Sequence, residues 1–368
     1  MRNDQKVNAL GNSHAKVMVV DDSAVVRGLI VRMLEKAGVE VIASVGDGQQ
    51  AVRALDRHHP DVIILDIEMP VMDGLTALPQ LVAKQPGVKI IMASTLTEKN
   101  AGISLRALQL GAADYIPKPT AAREISGGQD FQRELIDKVT ALSGKKGKAV
   151  AVAANATRAT MVPVRPTAPI TTRPETTFPV RVIAIGSSTG GPQALFEVLK
   201  HLTGLSQPIL ITQHMPPTFT RILAANIERQ TKLPTVEATD NLRIEPGKAY
   251  VAAGDYHMIA EKSGAGVCVR LVQSPQENFC RPAVDPMFRS VASVYGSGVL
   301  GIILTGMGHD GRDGSKIVTE HSGMIVAQDE KSSVVWGMPG AVATGGLASK
   351  VLPLGDIGAY VRRRAGGR

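Results

Sequence analysis

Short apolar segments alternate with amphipathic segments along the first 120 residues of the chain. The apolar segments are rich in Val and Ile, which is typical of buried strands. Residues 24–36 carry apolar side chains at the spacing of one helix face. This alternation predicts a parallel sheet with helices on both faces, a flavodoxin-like (βα)5 arrangement. The predicted strands are residues 17–20, 39–45, 62–65, 89–93 and 114–116, and a last helix is predicted over 131–142.

A second run with the same alternation extends from about residue 180 to residue 364. It predicts a doubly wound, mostly parallel α/β domain. Residues 234–272 show little helical periodicity, so some antiparallel strands are expected there. The strands of this run are predicted near 181–185, 208–213, 248–252, 267–272, 298–304 and 324–328.

The two runs are separated by a segment of Ala, Thr, Pro and basic residues. Such a composition is typical of a linker, which is semi-extended where proline is dense. The chain is also too long for one typical domain. We therefore predict an N-terminal extension over 1–14, a first α/β domain over 15–142, a linker over 143–178 and a second α/β domain over 179–368.

The formal net charge of +8 is concentrated in the linker and at the C-terminal end of the second domain. Basic residues are concentrated in the linker and in residues 357–368, so the rest of the chain is near neutral. A near-neutral domain offers no basic face to phosphates, and an aromatic content of 3% leaves few rings for base stacking. We expect no nucleic acid among the partners.

The cysteine content and the N-terminal sequence indicate in which cellular compartment the protein is expected. Cys268 and Cys280 are the two cysteines, too few for a disulfide framework and not grouped as in a zinc site. Both are expected to be core or incidental residues. The N-terminus lacks the apolar stretch of a signal peptide, and no segment approaches the roughly 18 apolar residues of a membrane span. We expect a cytoplasmic protein.

A glycine-rich turn at residues 186–192 follows one predicted strand and precedes a predicted helix. Ser188 occupies the serine position of G-x-S-x-G in this turn. Residues without bulk let the chain turn sharply, so that the hydroxyl is exposed as a nucleophile. Two alternatives stay open, namely a purely structural turn and Ser187 as the nucleophile.

A serine nucleophile needs a general base, a carboxylate that orients the base, and an oxyanion hole. His214 and Asp310 follow two further predicted strands, and the three strand ends meet if these strands are parallel neighbours. Backbone amides at Thr189 and in the loop around Met307 are candidates for the oxyanion hole. His309 is the rival base, but neighbours in sequence such as His309 and Asp310 rarely face each other.

Three carboxylates are expected at one edge of the first sheet. Asp21 and Asp22 follow its first strand, and Asp66 ends its third. Carboxylates that meet at a switch point repel one another unless a hard cation such as Mg²⁺ lies among them. Ser94 and Lys118 follow the fourth and fifth strands and are suited to hold phosphoryl oxygens. The alternative is that the aspartates are ordinary helix N-caps.

Residues 15–140, with these five positions, resemble the response-regulator receiver family. The resemblance implies phosphorylation at Asp66 and Mg²⁺ bound by Asp21, Asp22 and Asp66. It further implies Ser94 as the switch hydroxyl, Lys118 as the phosphate contact and Tyr115 as a rotating aromatic side chain.

With the segments IGSSTGGP, QHMPPTFT, FCRPAVDPMF and LTGMGHDG, nearly the whole chain resembles the CheB family of chemotaxis protein-glutamate methylesterases. The resemblance implies a catalytic triad of Ser188, His214 and Asp310, assisted by Thr189 and Met307 at the oxyanion hole. This sequence departs from the family at position 309, where it has His and the family frequently has Asn. Arg281 and Asp285 are expected either to shape the substrate cleft or to pack.

The family resemblance also implies the substrates and partners. The substrates are glutamate methyl esters on chemoreceptors, with methanol released, and receptor glutamines that are deamidated. No cofactor is expected at the esterase site, and contact with the membrane is expected only through the receptors. A chemotaxis histidine kinase supplies the phosphoryl group, and the receiver covers the esterase cleft until Asp66 is phosphorylated.

Two other classes of protein remain as alternatives. A phosphorylation-controlled transcription factor needs a basic output domain, which the charge distribution does not provide. A non-catalytic scaffold, whose second domain only binds a partner, tolerates the loss of Ser188.

Overall fold

The computed structural model describes residues 14–95, 97–118, 129–144, 170–264 and 266–366. The chain divides into two compact units, residues 1–95 with 115–156 and residues 96–114 with 157–368. Residues 1–13 of the predicted extension and residues 145–169 of the predicted linker lie outside the described residues.

A five-stranded sheet has the strand order β2-β1-β3-β4-β5. β1 pairs in parallel with β2 and β3, and β3 pairs in parallel with β4. The order reverses between β1 and β3, so the carboxyl ends of these two strands form a switch point. The strands are β1 (Lys16–Val20), β2 (Glu40–Val45), β3 (Val62–Asp66), β4 (Lys89–Ser94) and β5 (Asp114–Pro117). The helices are α1 (Ala24–Lys36), α2 (Gly48–Ala54), α3 (Gly74–Lys84), α4 (Glu98–Gln109) and α5 (Gln129–Ser143).

Local sequence explains where these elements begin. All five residues of β3 are buried, as expected for a continuous apolar strand in a parallel sheet. Ser23 caps α1 by accepting a hydrogen bond from the amide of Val26, and Asp73 caps α3 through the amide of Thr76. The caps of α1 and α3 are therefore residues other than the three aspartates at the switch point.

A seven-stranded sheet has the order β14-β13-β12-β6-β7-β9-β8, and its neighbouring strands pair in parallel. β10 (His257–Ser263) and β11 (Gly266–Val272) form a separate antiparallel pair. The seven strands are β6 (Val182–Ser187), β7 (Ile209–Gln213), β8 (Thr235–Glu237), β9 (Ala249–Val251), β12 (Val299–Ile303), β13 (Met324–Gln328) and β14 (Lys350–Leu352). The helices are α6 (Gly191–Leu199), α7 (Phe219–Thr231), α8 (Val284–Tyr295), α9 (Arg312–Glu320), α10 (Met338–Thr344) and α11 (Leu354–Arg364), and residues Gly296–Gly298 form a 3-10 turn.

The structure confirms the prediction of two mostly parallel α/β arrangements. Antiparallel pairing within 234–272 is confirmed for β10 and β11, whereas β8 joins β9 in parallel. The strands β8, β10 and β14 were not predicted individually. β8 and β14 have only three residues each, and the last three residues of β10 are exposed, so no apolar run marks them.

The centre of the seven-stranded sheet is its own switch point. β6 pairs with β7 on one side and with β12 on the other. The register of both pairings is regular, and Gly186 lies between Thr212 of β7 and Ile303 of β12. Side chains that follow these three strands therefore emerge side by side at one edge.

The core of the second unit lies between this sheet and the helices on its faces. Phe288 of α8 is fully buried in a cluster that includes Val182, Leu210 and Ile303. The single tryptophan, Trp336, packs against the same cluster.

Within the described residues, no helix combines the length and the apolar character needed to span a membrane.

Replacing Phe288 with Ala is expected to destabilise the second unit by about 3 to 5 kcal/mol, because a buried ring is replaced by a cavity. The free energy of unfolding is measured in urea through the fluorescence of Trp336. Phe178 is the matched control, since it is 48% exposed and its replacement by Ala is expected to change stability by less than about 0.5 kcal/mol. Equal effects of the two substitutions contradict this assignment of the core.

Candidate active site and acidic site

The serine turn is fixed by close packing at two of its glycines. Gly190 has a positive φ of 76°, and a Cβ there lies 2.6 Å from Val334. A Cβ at Gly191 lies 2.0 Å from the side-chain oxygen of Gln213. Residues with larger side chains are therefore excluded at both positions.

Ser187 and Ser188 have different environments in this turn. The Ser187 side chain is fully buried, and its Oγ donates to Oε1 of Gln213 at 2.7 Å. Ser188 is half-buried, and its amide donates to the carbonyl of Thr305 at 3.0 Å. Ser188 is thus the serine of this pair that is more accessible to a substrate.

His214 directly follows β7 and lies beside the serine turn. Its amide donates to the carbonyl of Ser187 at 3.1 Å. Its Nε2 lies 2.7 Å from Oδ2 of Asp310, and its Nδ1 lies 3.4 Å from Sγ of Cys280. Among the hydrogen bonds of the described residues, none joins the Ser188 hydroxyl to this imidazole. The structure therefore pairs Asp310 with His214 and leaves the exposed His309 outside this contact.

The carboxylate of Asp310 caps helix α8 from another part of the chain. Oδ2 accepts from the amide of Val284 at 2.6 Å, and Oδ1 accepts from the amides of Asp285 and Gly311 at 3.1 and 2.9 Å. Val284 and Asp285 are the first residues of α8, whose cap residue Ala283 provides no side-chain hydrogen bond. Amides at a helix N-terminus stabilise a negative charge.

These contacts determine the charges of the His214–Asp310 pair. Burial acts to raise the pKa of Asp310, but the bond from His214 and the α8 amides lower this pKa to about 2. Burial acts to lower the pKa of His214, but Cys280 and Asp310 together raise this pKa well above its usual value. Asp310 is therefore a carboxylate near neutral pH, and it stabilises a proton on the imidazole of His214.

Thr189 directly follows the serine, and Met307 follows Gly306, at which a Cβ lies 2.9 Å from the Cβ of Ser188. Thr189 Oγ1 donates to Oδ2 of Asp114, in the same compact unit, at 2.6 Å. In the part of the chain that is described, the backbone amides of Thr189 and Met307 have no hydrogen-bond acceptor.

Sequence reasoning missed two residues that reach the pair. Asn278 donates from Nδ2 to Oδ1 of Asp310 at 3.0 Å, and Cys280 touches the imidazole. The only sequence signal for them was the segment FCRPAVDPMF, which contains Cys280 and directly follows Asn278. Arg281 is instead a packing residue, because its Nε and Nη2 both donate to Oδ1 of Asp255, at 3.0 and 2.6 Å.

The acidic site lies at the switch point of the five-stranded sheet. Asp21, Asp22 and Asp66 each offer a carboxylate oxygen within 4.8 Å of the others. Asp21 and Asp66 are buried and Asp22 is exposed, so the cluster opens to solvent on one side. This set of oxygen donors suits Mg²⁺, which retains several waters when bound. The residues present fit the ion implied by the resemblance.

The other predicted residues of the acidic site surround Asp66. Lys118 Nζ lies 2.7 Å from Oδ2 of Asp66 and 2.6 Å from Oδ2 of Asp21. Burial raises the pKa of Asp66, and the hydrogen bond and charge of Lys118 oppose this rise. Ser94 is buried, and its carbonyl accepts from the amide of Lys118 at 2.7 Å. Tyr115 is also buried, and Lys138 donates to its carbonyl at 2.6 Å.

Known proteins match both parts of the chain. The family model described as response regulator receiver domain matches residues 17–127, and the model described as CheB methylesterase matches residues 183–361. A Rhodospirillum rubrum protein named protein-glutamate methylesterase/protein-glutamine glutaminase 1 is 56% identical over 96% of both chains. The chain belongs to the CheB methylesterase family.

Further relatives cover the same range. A protein-glutamate methylesterase/protein-glutamine glutaminase of Azospirillum brasilense is 56% identical over 97% of this chain and 94% of its own. Among solved structures, the CheB methylesterase catalytic domain of Thermotoga maritima is 37% identical. That structure covers 50% of this chain and 99% of its own, with a TM-score of 0.49.

Replacing Asp285 with Asn is expected to remove a pH dependence of stability. Burial, followed by the charge of Asp310, raises the pKa of Asp285 to about 6, from 3.8 in an unfolded chain. Asp285 therefore stabilises the fold below about pH 4, and this contribution is lost as the pH rises through about 6. The stability of the natural protein minus that of Asp285→Asn is expected to fall by at most about 3 kcal/mol over this range.

The measurement is urea unfolding followed by Trp336 fluorescence at pH values on both sides of this range. Asp313 is the matched control, because its side chain is 67% exposed and accepts a hydrogen bond from the exposed Arg312. The stability of the natural protein minus that of Asp313→Asn is expected not to change with pH. A flat difference for Asp285→Asn contradicts the assigned shift.

Proposed function

We propose that this chain hydrolyses glutamate γ-methyl esters of chemoreceptors and deamidates receptor glutamines, with Ser188 as the nucleophile. The observation that supports this most strongly is the pairing of His214 with Asp310 beside the serine turn. The family of the chain and the names of its relatives support the substrate class. A serine hydroxyl, an imidazole and a buried carboxylate are the groups that acyl transfer requires.

The first step forms an acyl-enzyme. Oγ of Ser188 attacks the ester carbonyl carbon, and its proton passes to His214. Nδ1 is the basic atom, because Nε2 is bonded to Asp310. The amides of Thr189 and Met307 bind the oxyanion, and methanol leaves with the proton that His214 returns.

The second step releases the product. His214 takes a proton from water, the resulting hydroxide attacks the acyl carbon, and Ser188 regains its proton as free glutamate forms. With a glutamine substrate the same sequence releases ammonia in the first step. No metal is expected to take part in either step.

Phosphorylation of Asp66 controls this activity in our proposal. An oxygen of the Asp66 carboxylate receives the phosphoryl group from a chemotaxis histidine kinase. Asp21, Asp22 and Asp66 would hold Mg²⁺, which compensates the charge of the phosphoryl oxygens when bound. Lys118 and Ser94 then contact these oxygens, and Tyr115 changes its rotamer. The protein acts in the cytoplasm and reaches the membrane only through its receptors.

Replacing Ser188 with Ala is expected to lower turnover by about 10⁴- to 10⁶-fold, as for other triads. The measurement is methanol release from methylated receptor membranes by the full chain. Ser187→Ala is the matched control, because the Ser187 hydroxyl is bonded to Gln213. It is expected to retain activity within about tenfold, since it loses one buried hydrogen bond. Near-normal methanol release by Ser188→Ala rejects Ser188 as the nucleophile, whereas no methanol release by the natural protein favours a scaffold.

Replacing Asp66 with Asn is expected to abolish stimulation by an acyl phosphate donor. Stimulation of the natural protein is expected to be about tenfold or more and to disappear with a chelator of Mg²⁺. Asp56 is the matched control, since its side chain is 64% exposed in a pair with Lys84. Asp56→Asn is expected to keep the response. A full response in Asp66→Asn contradicts the assigned phosphorylation site.

A further inference from the structure

Asn278 bridges two buried carboxylates behind the His214–Asp310 pair. Its Nδ2 donates to Oδ1 of Asp310 and to Oδ2 of Asp285, at 3.0 Å in both cases. Asp310 is 1% exposed and Asp285 is 3% exposed. One amide nitrogen has two hydrogens, so each carboxylate receives one of them.

A tight turn holds Asn278 in this position. Glu277 and Cys280 bond to each other through both backbone amides, at 3.1 and 2.9 Å. Asn278 has a φ of 53°, in the left-handed region that Asn tolerates better than most residues. Glu277 forms an ion pair with Arg289 of α8, at 2.6 Å. The turn is therefore attached to the helix that Asp310 caps.

Asp285 links the same network to helix α9. Its amide donates to Oδ1 of Asp310, and its own Oδ1 accepts from the amide of Gly314 at 2.6 Å. A Cβ at Gly314 lies 3.0 Å from this Oδ1, so the carboxylate has little room to turn. The charged groups that act on this pair of carboxylates are His214 on Asp310, and Arg289 on both.

Each oxygen of Asp310 therefore has a separate set of partners. Oδ2 faces His214 and the amide of Val284, whereas Oδ1 faces Asn278 and the amides of Asp285 and Gly311. Donors on Oδ1 resist rotation of the carboxylate about its Cβ–Cγ bond. Rotation weakens the bond from Oδ2 to the imidazole and so changes the position of the base.

We propose that Asn278 and Asp285 are positioning residues for hydrolysis, with the Asn278 amide bridging both carboxylates so that Oδ2 of Asp310 stays aimed at His214. The inference rests on the proposed roles of His214 and Asp310. Asp285 contributes in two ways, because it orients Asn278 and adds a negative charge beside Asp310, the partner of the His214 imidazole. Neither residue touches the substrate.

The experiment compares Asn278→Ala with Asn241→Ala in the full chain, by methanol release from methylated receptor membranes. Asn241 is matched because it also has a positive φ, of 59°, and its side chain is bonded to the exposed Asp240. Asn278→Ala is expected to lower kcat by about 10- to 100-fold with KM unchanged. This is the size of effect seen when a hydrogen bond that orients a metal-binding side chain is removed. Asn241→Ala is expected to keep both constants within about twofold, since surface substitutions of this kind have small effects.

Asp285→Asn provides a second, independent readout. The loss of its negative charge makes the imidazolium of His214 less stable, so this imidazole loses its proton at lower pH. In a plot of kcat against pH, the rise on the acid side is therefore expected to move to lower pH. Asp313→Asn is expected to leave this rise in place. A role confined to folding lowers the active fraction without moving the rise, and unfolding with Trp336 fluorescence measures that fraction.

The outcomes separate this inference from the proposed function. The positioning role is overturned if Asn278→Ala has a normal kcat and Asp285→Asn has an unchanged pH profile of kcat. If Ser188→Ala is inactive in the same assay, the triad stays intact. Full activity in Ser188→Ala overturns the triad itself. A lower kcat in Asn278→Ala with the expected shift in Asp285→Asn supports the positioning role.

Discussion

The parallel pairing of β6 with both β7 and β12 is the constraint on which the candidate active site depends. Ser188, His214 and Asp310 are far apart in the chain, yet each follows one of these three strands. The register of a parallel sheet brings their carboxyl ends to one edge, where the strand order also reverses. The three strands end at that edge, so the polar residues that follow them lie side by side there.

A buried carboxylate at such an edge needs donors that compensate its charge. Asp310 obtains them from the N-terminus of α8 and from His214, which explains why it stays ionised despite its burial. In the five-stranded sheet, Lys118 has this role for Asp66 and Asp21. Both sites thus combine a parallel-sheet switch point with anionic oxygen atoms that the fold holds in place before any substrate or cation binds.

Sequence periodicity predicted most of the longer elements, because their apolar residues mark one face or one buried run, but it gave no bounds for β10. It missed β14, whose three half-buried residues leave no such pattern. Within the site, the sequence singled out Ser188 but left Ser187 open as a rival. The buried bond from Ser187 to Gln213 depends on pairing between β6 and β7, which the turn motif alone does not specify.

The sequence by itself determined the two α/β arrangements, the acidic residues after the strands and the glycine turn around Ser188. These features are local, since each depends on neighbours within a few positions. Only the tertiary structure decided that Asp310 faces His214 rather than His309, and that Asn278 and Cys280 reach this pair. Those contacts join segments separated by as many as 96 residues, so they depend on strand order and helix placement that no local pattern encodes.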